Sequence, residues 1–198
     1  MKKILIALLL SSVFSFGQSN QKETSTLENE FSKSTLDAEN IIAFETRSKQ
    51  KVVDFCNYIQ LISNKDLDDK LRLHSQKSAL TLFNTNSCLI SEQIITGKND
   101  YILINDFFSA VYKSKYHKIE GLASNVVFKD QLTAIDSSNY AGTISYTHTM
   151  NFYNQAGNII KTIIENKFVE VTLTRKVKTF GTTEKIIWTV NLCDIKND

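Results

Sequence analysis

Side chains able to act as acids, bases or nucleophiles are scattered along this chain of 198 residues, and His148 is the strongest candidate among them. It lies between Tyr146 and Met150 in an alternating segment, so its imidazole is expected on the apolar side of a strand. There it could serve as a general base if a carboxylate such as Asp54 oriented it, with Tyr58 or Tyr146 as alternative partners. The other interpretation is a hydrogen-bonded histidine that only fills the inner face of a sheet.

Aromatic residues form a second candidate group, because they could line a cavity for a small apolar or amphipathic ligand. At their spacings the alternative is ordinary core packing. The residues considered as pocket lining are Tyr58, Phe108, Tyr112, Tyr146, His148 and Trp188.

Common catalytic and cofactor motifs are absent from the sequence. The six glycines are too scattered for a phosphate-binding loop, and neither H-E-x-x-H nor G-x-S-x-G occurs. His74, His117 and His148 lack neighbouring acidic residues at metal-ligand spacing, and the first two are expected to be exposed to solvent. The sequence therefore predicts neither a metal nor another cofactor.

The three cysteines have no C-x-x-C spacing and no Cys/His metal spacing. Cys56 falls on the apolar stripe of a predicted helix and is expected to be a small buried hydrophobe. Cys88 and Cys193 both fall in predicted strands, so they could form a disulfide in an oxidising compartment, or both could remain thiols.

The N-terminus has the pattern of a secretory signal peptide, residues 1–17. Two lysines follow Met1, an apolar run extends from Ile4 to Leu10, and Ser15, Phe16 and Gly17 form a small-x-small ending. The apolar run is too short to span a bilayer, which needs about 20 residues, and no second run is long enough. We therefore expect export to the periplasm or the extracellular space, with cleavage near Gly17 and Gln18.

Charge argues against a nucleic-acid partner. Cleavage after Gly17 would remove Lys2 and Lys3 but no acid, which leaves 21 basic and 21 acidic residues in the mature chain. Its lysines are interleaved with acids and hydroxyls, whereas phosphate recognition needs a basic stripe.

Apolar periodicity divides the mature chain into a flexible polar leader, residues 18–38, and a single domain, residues 39–198. A first helix is predicted from Glu39, and Asn64 is expected to cap a second. A third, of about ten residues, is predicted from Ile104. The residues expected to face inward are Ile41, Phe44, Val52, Phe55, Ile59 and Ile62 in the first helix, Leu67, Leu71, Ala79 and Leu82 in the second, and Phe107, Phe108, Val111 and Tyr112 in the third.

Strand signals occupy most of the rest of the chain. A strand over residues 88–95 is followed by a return over residues 101–103, and from Tyr116 onward strand follows strand, with breaks at residues 136–139, 154–158 and 180–183. Alternation is clearest over residues 143–153, where apolar and polar side chains take opposite faces. The expected fold class is therefore α+β, with N-terminal helices packed on a strongly curved, mostly antiparallel sheet.

This order of elements resembles the nuclear transport factor 2-like cone of the wider cystatin-like group. The local sequence resembles that of secreted Bacteroidetes proteins of unknown function with this fold. Three segments carry the resemblance: residues 79–83 closing the second helix, residues 140–146 opening a long strand, and residues 188–195 ending the last. In enzymes of this superfamily the cone encloses a pocket with an Asp, His or Tyr acid/base pair. The resemblance implies a fold more directly than an activity.

Three functions from different classes follow. The first is a noncatalytic extracytoplasmic module that binds a small ligand in the cone, or that docks a partner or a second copy through the polar face of the sheet. The second is a small isomerase, dehydratase or hydrolase that uses His148 inside the cone. A third, a structural protein of the cell envelope, would use the polar leader as a tether.

Overall fold

The structure is a computed structural model that describes residues 36–92, 100–181 and 183–198. The predicted signal peptide and almost all of the predicted leader lie outside the described residues. No helix in the described part of the chain is both long enough and apolar enough to span a membrane. The three helices of that part are α1 (Ala38–Ser63), α2 (Asp69–Leu80) and α3 (Ile104–Tyr112).

Helix α1 begins at Ala38, one residue before the predicted start at Glu39. The Asp37 carboxylate accepts a hydrogen bond of 2.9 Å from the backbone N–H of Asn40, so it caps the first turn. Leu36, at the end of the predicted leader, is buried, and its N–H donates to the Tyr140 hydroxyl at 3.3 Å. The predicted apolar stripe is buried at Phe44, Val52, Phe55, Ile59 and Ile62, whereas Ile41 is half-buried.

The sequence prediction for α2 was wrong in two respects. Asn64 ends α1 and does not begin α2, whose N-cap is Asp68. The buried residues of α2 are Arg72, Ser75 and Ala79, whereas Leu71 is 46% exposed. The Arg72 side chain takes the inward position because it satisfies the backbone carbonyls of Ile62 and Tyr112 there.

The six strands of the described residues form a single sheet in the order β2-β1-β6-β5-β4-β3. All neighbours are antiparallel except β1 and β6, which are parallel at Ile90 and Ile195. The predicted α+β class, with helices on a curved and mostly antiparallel sheet, is therefore confirmed. The strands are β1 (Leu89–Glu92), β2 (Asp100–Leu103), β3 (Lys118–Ala134), β4 (Asn139–Tyr153), β5 (Ile159–Phe180) and β6 (Thr183–Asn197).

Alternation along the long strands divides the sheet into an inner face, covered by the helices, and an outer face. The inner side chains of β4 are all buried, as predicted. The same pattern holds for Val169, Val171 and Leu173 on β5. The inner set of β4 is Ile144, Tyr146, His148, Met150 and Phe152.

Helix α1 approaches β3 closely at two points. A Cβ atom on Gly121 would lie 3.0 Å from the backbone oxygen of Cys56, so a side chain at this position would push the helix away. At the end of the helix, the Ser63 hydroxyl donates to the Ile119 carbonyl at 3.0 Å and accepts from its N–H at 2.8 Å. These contacts fix the helix layer over one edge of the sheet.

Arg72 joins the ends of all three helices. Its Nε donates to the Ile62 carbonyl at 2.9 Å and one terminal nitrogen donates to the Tyr112 carbonyl at 2.8 Å, so one cation caps the C-terminal ends of α1 and α3. The other terminal nitrogen pairs with Asp69 at 2.9 Å. The guanidinium also lies 4.3 Å from the centroid of the Tyr112 ring.

Replacing Arg72 with Ala is expected to lower the free energy of unfolding by about 3 kcal/mol, because two buried carbonyls lose a charged donor. Urea-induced unfolding followed by circular dichroism measures this change. Arg47→Ala, an exposed position on α1, is the matched control and should cost about 0.5 kcal/mol or less. Equal losses in the two variants would contradict the proposed role of Arg72.

Candidate functional site

The inner face of the sheet is filled by phenylalanine rings centred on Phe55 of α1. The centroid of this ring lies 5.9 Å from each of the centroids of Phe83, Phe107 and Phe108. The Phe107 and Phe108 rings are 5.5 Å apart, and all four side chains are buried. This cluster occupies the space between the helices and β4.

His148 lies against this cluster and is fully buried. Its ring centroid is 6.1 Å from that of Phe55 and 5.9 Å from that of Tyr146. Neither ring nitrogen has a hydrogen-bond partner among the described residues. The imidazole is therefore held by packing, where the sequence suggested a hydrogen-bonded residue.

Burial, with a smaller contribution from the Lys167 ammonium, lowers the pKa of His148 to about 3. The imidazole is therefore neutral at pH 7. An efficient general base has a pKa near the working pH, so this histidine is a weak base in the described conformation.

The carboxylate suggested as its partner, Asp54, is half-buried on α1 and accepts a hydrogen bond of 2.9 Å from the Gln50 amide. Tyr58, on the same helix, is partly buried against the core. No hydrogen bond joins His148 to either residue within the described ranges.

The charged groups nearest to His148 are on β5, and the sequence reading did not single them out. Glu165 is the cross-strand partner of His148, and Lys167 is the partner of Tyr146, so all four side chains share the inner face. The Lys167 Nζ pairs with the Glu165 carboxylate at 2.9 Å and is completely buried. The sequence offered one signal, because Lys167 lies two residues before the buried Val169 and the two therefore share a face. The pairing of Glu165 with His148 and of Lys167 with Tyr146 depends on strand register.

Two further hydrogen bonds satisfy the buried Lys167 ammonium. It donates to the backbone oxygen of Ser91 at 2.9 Å and to the side-chain oxygen of Asn197 at 2.7 Å. Because a buried cation is costly unless it is paired and hydrogen-bonded, this arrangement ties β5 to β1 and to the end of β6.

The remaining residues proposed as pocket lining do not face one space. Phe108 belongs to the phenylalanine cluster, whereas Tyr112 lies under Arg72 and donates to Asp69 at 3.2 Å. Trp188 packs edge-on against Tyr140, with ring centroids 5.5 Å apart. Phe108, Tyr112 and Trp188 thus contact three different sets of residues.

Two surface cavities lie elsewhere on the domain. An outer groove of about 830 Å³ crosses β3, β4 and β5, and a cleft of about 550 Å³ lies near the start of β3. Neither is lined by His148 or Tyr146. The outer groove is lined mainly by Phe128, Lys129, Asp130, Gln131, Thr143 and Glu170, and the cleft mainly by Lys65, Lys115, Tyr116, His117, Tyr153 and Ile160.

The other two histidines are separate from this core. His74 is exposed, as predicted, whereas His117 is only partly exposed and pairs with Asp66 at 2.9 Å. Within residues 36–92, 100–181 and 183–198, no group of three or more His, Cys, Asp or Glu side chains is placed to hold a metal ion.

No protein-family model matches the chain, and no curated protein sequence matches it. A solved structure similar to this chain is that of a protein provisionally assigned as a scytalone dehydratase from Novosphingobium aromaticivorans. The two are 8% identical, the alignment covers 81% of this chain and 88% of that chain, and the TM-score is 0.44.

Two other solved structures align over similar lengths. A type 2 hexachlorocyclohexane dehydrochlorinase (LinA) is 11% identical, with 77% of this chain and 89% of that chain covered and a TM-score of 0.31. The beta subunit of a provisionally assigned aromatic-ring-hydroxylating dioxygenase from N. aromaticivorans is 16% identical, with 76% and 87% covered and a TM-score of 0.32. Similarity at these TM-scores supports no inference about activity.

Acid is expected to destabilise the domain through His148. The unfolded histidine takes up a proton near its ordinary pKa of 6.5, whereas the folded one does so only near pH 3. Between these values the unfolded state binds one more proton, so this residue lowers the free energy of unfolding by about 1.4 kcal/mol for each pH unit as pH falls.

His148→Leu should remove this contribution while keeping a similar volume in the core. Urea unfolding of the variant and the original protein at pH 7, 6 and 5 gives the difference. His74→Gln, at an exposed position, should leave the pH dependence unchanged. Parallel pH profiles for the original protein and His148→Leu would show that His148 is not a buried neutral imidazole.

Proposed function

We propose that this chain is an exported, noncatalytic interaction module with a nuclear transport factor 2-like fold. The observation that carries the proposal is the filled inner face, where His148 is buried beside Phe55 and has a pKa of about 3. The alternative, an isomerase, dehydratase or hydrolase, requires a pocket that reaches His148, and neither cavity is lined by it. Export rests on the signal-peptide pattern of residues 1–17.

The outer face of the sheet is the surface that we assign to the interaction. Leu122, Val127 and Ile164 are 49% to 67% exposed on it. Strand pairing places Leu122 and Ile164 on either side of Thr149, so apolar side chains alternate with hydroxyls across β3, β4 and β5. Such a mixed, extended face is typical of a protein interface.

A second copy of the chain is the proposed occupant of this face. The groove on this face carries charges of both signs, because Lys129 lies with Asp130 and Glu170, and Glu170 is bonded to Lys196 outside the groove. A patch that carries both signs of charge can pair with its own copy, and a two-fold interface brings the same patch from both chains together.

Ile164→Glu is expected to weaken self-association at least tenfold, because it introduces a charge into an apolar part of the interface on both chains. Sedimentation velocity over a range of protein concentrations measures the dimerisation constant. Leu71→Glu, at an exposed position on α2, is the control and should associate like the original protein. A protein that stays monomeric at millimolar concentration would overturn the proposal of a second copy.

A second candidate function is the binding of a small anionic amphipathic ligand in the cleft of about 550 Å³. Its lining combines Lys65 and Lys115 with the Tyr116 and Tyr153 rings. The Lys115 Nζ lies 5.4 Å from the Tyr116 ring centroid, and the Lys118 Nζ lies 4.1 Å from that of Tyr153. Ammonium groups beside aromatic rings suit a ligand with a negative group and an apolar body.

The anionic probe 8-anilinonaphthalene-1-sulfonate is expected to bind this cleft and to lose at least tenfold in affinity in Lys115→Glu, because attraction becomes repulsion. Fluorescence titration of the folded protein measures the dissociation constant. Lys129→Glu makes the same change in net charge at the outer groove and is the matched control. Equal affinity of the two variants for the probe would show that the cleft is not its binding site.

A further inference from the structure

The fold brings together two thiols that are more than a hundred residues apart in the sequence, Cys88 and Cys193. β1 and β6 run parallel and pair Ile90 with Ile195, and the same register two residues earlier sets Cys88 opposite Cys193. The flanking backbone supports this placement: the Cys88 Sγ lies 4.0 Å from the Leu192 carbonyl, and the N–H of Leu89 donates to the Asp194 carboxylate at 2.9 Å. Cys88 therefore lies beside the segment of β6 that carries Cys193.

We propose that Cys88 and Cys193 form an intramolecular disulfide when the protein meets a disulfide oxidant, and that the structure represents the dithiol form. Both residues are free thiols in this structure. Their positions opposite each other on neighbouring strands suit a disulfide, which needs two Cα atoms a few ångströms apart and no large movement of the backbone. This inference does not depend on the proposed interaction surface.

The accessible member of the pair, Cys193, reacts first, because it is half-buried whereas Cys88 is buried. Its thiolate attacks one sulfur of the oxidant, which forms a mixed disulfide and releases the other sulfur as a thiolate. The Cys88 thiolate then attacks Cys193 Sγ and releases the second sulfur of the oxidant. The protein loses two electrons and two protons, and the oxidant is reduced to two thiols.

The reaction is expected to be slow at neutral pH. Burial, together with Cys88 and the nearby Asp194 and Glu170 carboxylates, raises the pKa of Cys193 to about 12. The Lys196 ammonium, which lies beside these carboxylates, is bonded to Glu170. Thiolate is therefore scarce at pH 7, and the rate should rise about tenfold for each pH unit below that pKa.

A disulfide here would secure the β1–β2 hairpin to the sheet. Within the described residues, β1 meets β6 in register only at Ile90 and Ile195, although the Lys167 ammonium also holds Ser91. The covalent bond would close a loop of about a hundred residues, which constrains the unfolded chain strongly. We expect an unfolding temperature about 5 °C or more above that of the reduced protein.

Cys56 is an internal control. It is 1% exposed on α1, beside the backbone of Gly121, and burial raises its pKa to about 12. A thiol enclosed in this way should not exchange with an oxidant while the protein stays folded.

The test uses the full chain, purified in reduced form and equilibrated at pH 8.5 with oxidised and reduced glutathione. The protein is then denatured and its free thiols are labelled with maleimide-polyethylene glycol, so that each free thiol adds one shift of the band on a gel. The peptides joined by a disulfide are identified by mass spectrometry. Cys56→Ala should still form the disulfide, whereas Cys88→Ser and Cys193→Ser should not. Thermal unfolding of the oxidised and reduced protein is the second measurement, and it needs no variant.

The proposal predicts that the oxidised original protein retains one free thiol, at Cys56, and contains a peptide linked through Cys88 and Cys193. A protein that keeps three thiols in excess oxidised glutathione would overturn it. So would an intramolecular bond to Cys56, a purely intermolecular bond, or an oxidised form that unfolds at a lower temperature than the reduced form.

Discussion

The need to fill the space between the helices and the inner face of the sheet is the constraint on which the rest of this structure depends. Phe55 meets it from the middle of α1, because its ring contacts Phe83, both phenylalanines of α3 and His148 of β4. One side chain thus joins the helix layer to a central strand. Since interiors are packed as densely as organic crystals, each of these elements is positioned by the others.

This filling also determines what the polar residues inside the domain can do. His148 is surrounded by rings and is neutral, and the Lys167 ammonium beside it is held by Glu165, Ser91 and Asn197. Buried groups in this state stabilise or specify a fold more readily than they transfer protons to a substrate. The two surfaces that we propose for contact with another molecule are the outer face of the sheet and the cleft near the start of β3.

The local sequence pattern predicted the buried side chains correctly wherever one face of an element is apolar and the other polar. The stripe from Phe44 to Ile62 on α1 and the alternation on β4 predicted which side chains are buried, because helical and strand periodicity are properties of the backbone itself. The pattern failed on α2, where Arg72 is buried and Leu71 is exposed. Composition indicates polarity, but it does not reveal that the ends of two other helices offer carbonyls to a buried cation.

The sequence by itself determined the α+β class, the boundaries of most elements and the inward direction of His148, since each depends on residues close together in the chain. Tertiary structure alone decided that His148 lies opposite Glu165, that its nitrogens have no partner in the described part of the chain, and that Cys88 lies beside the segment of β6 that carries Cys193. These facts depend on strand order and register. Both are set by the packing of segments that are distant in sequence, and periodicity carries no information about such pairings.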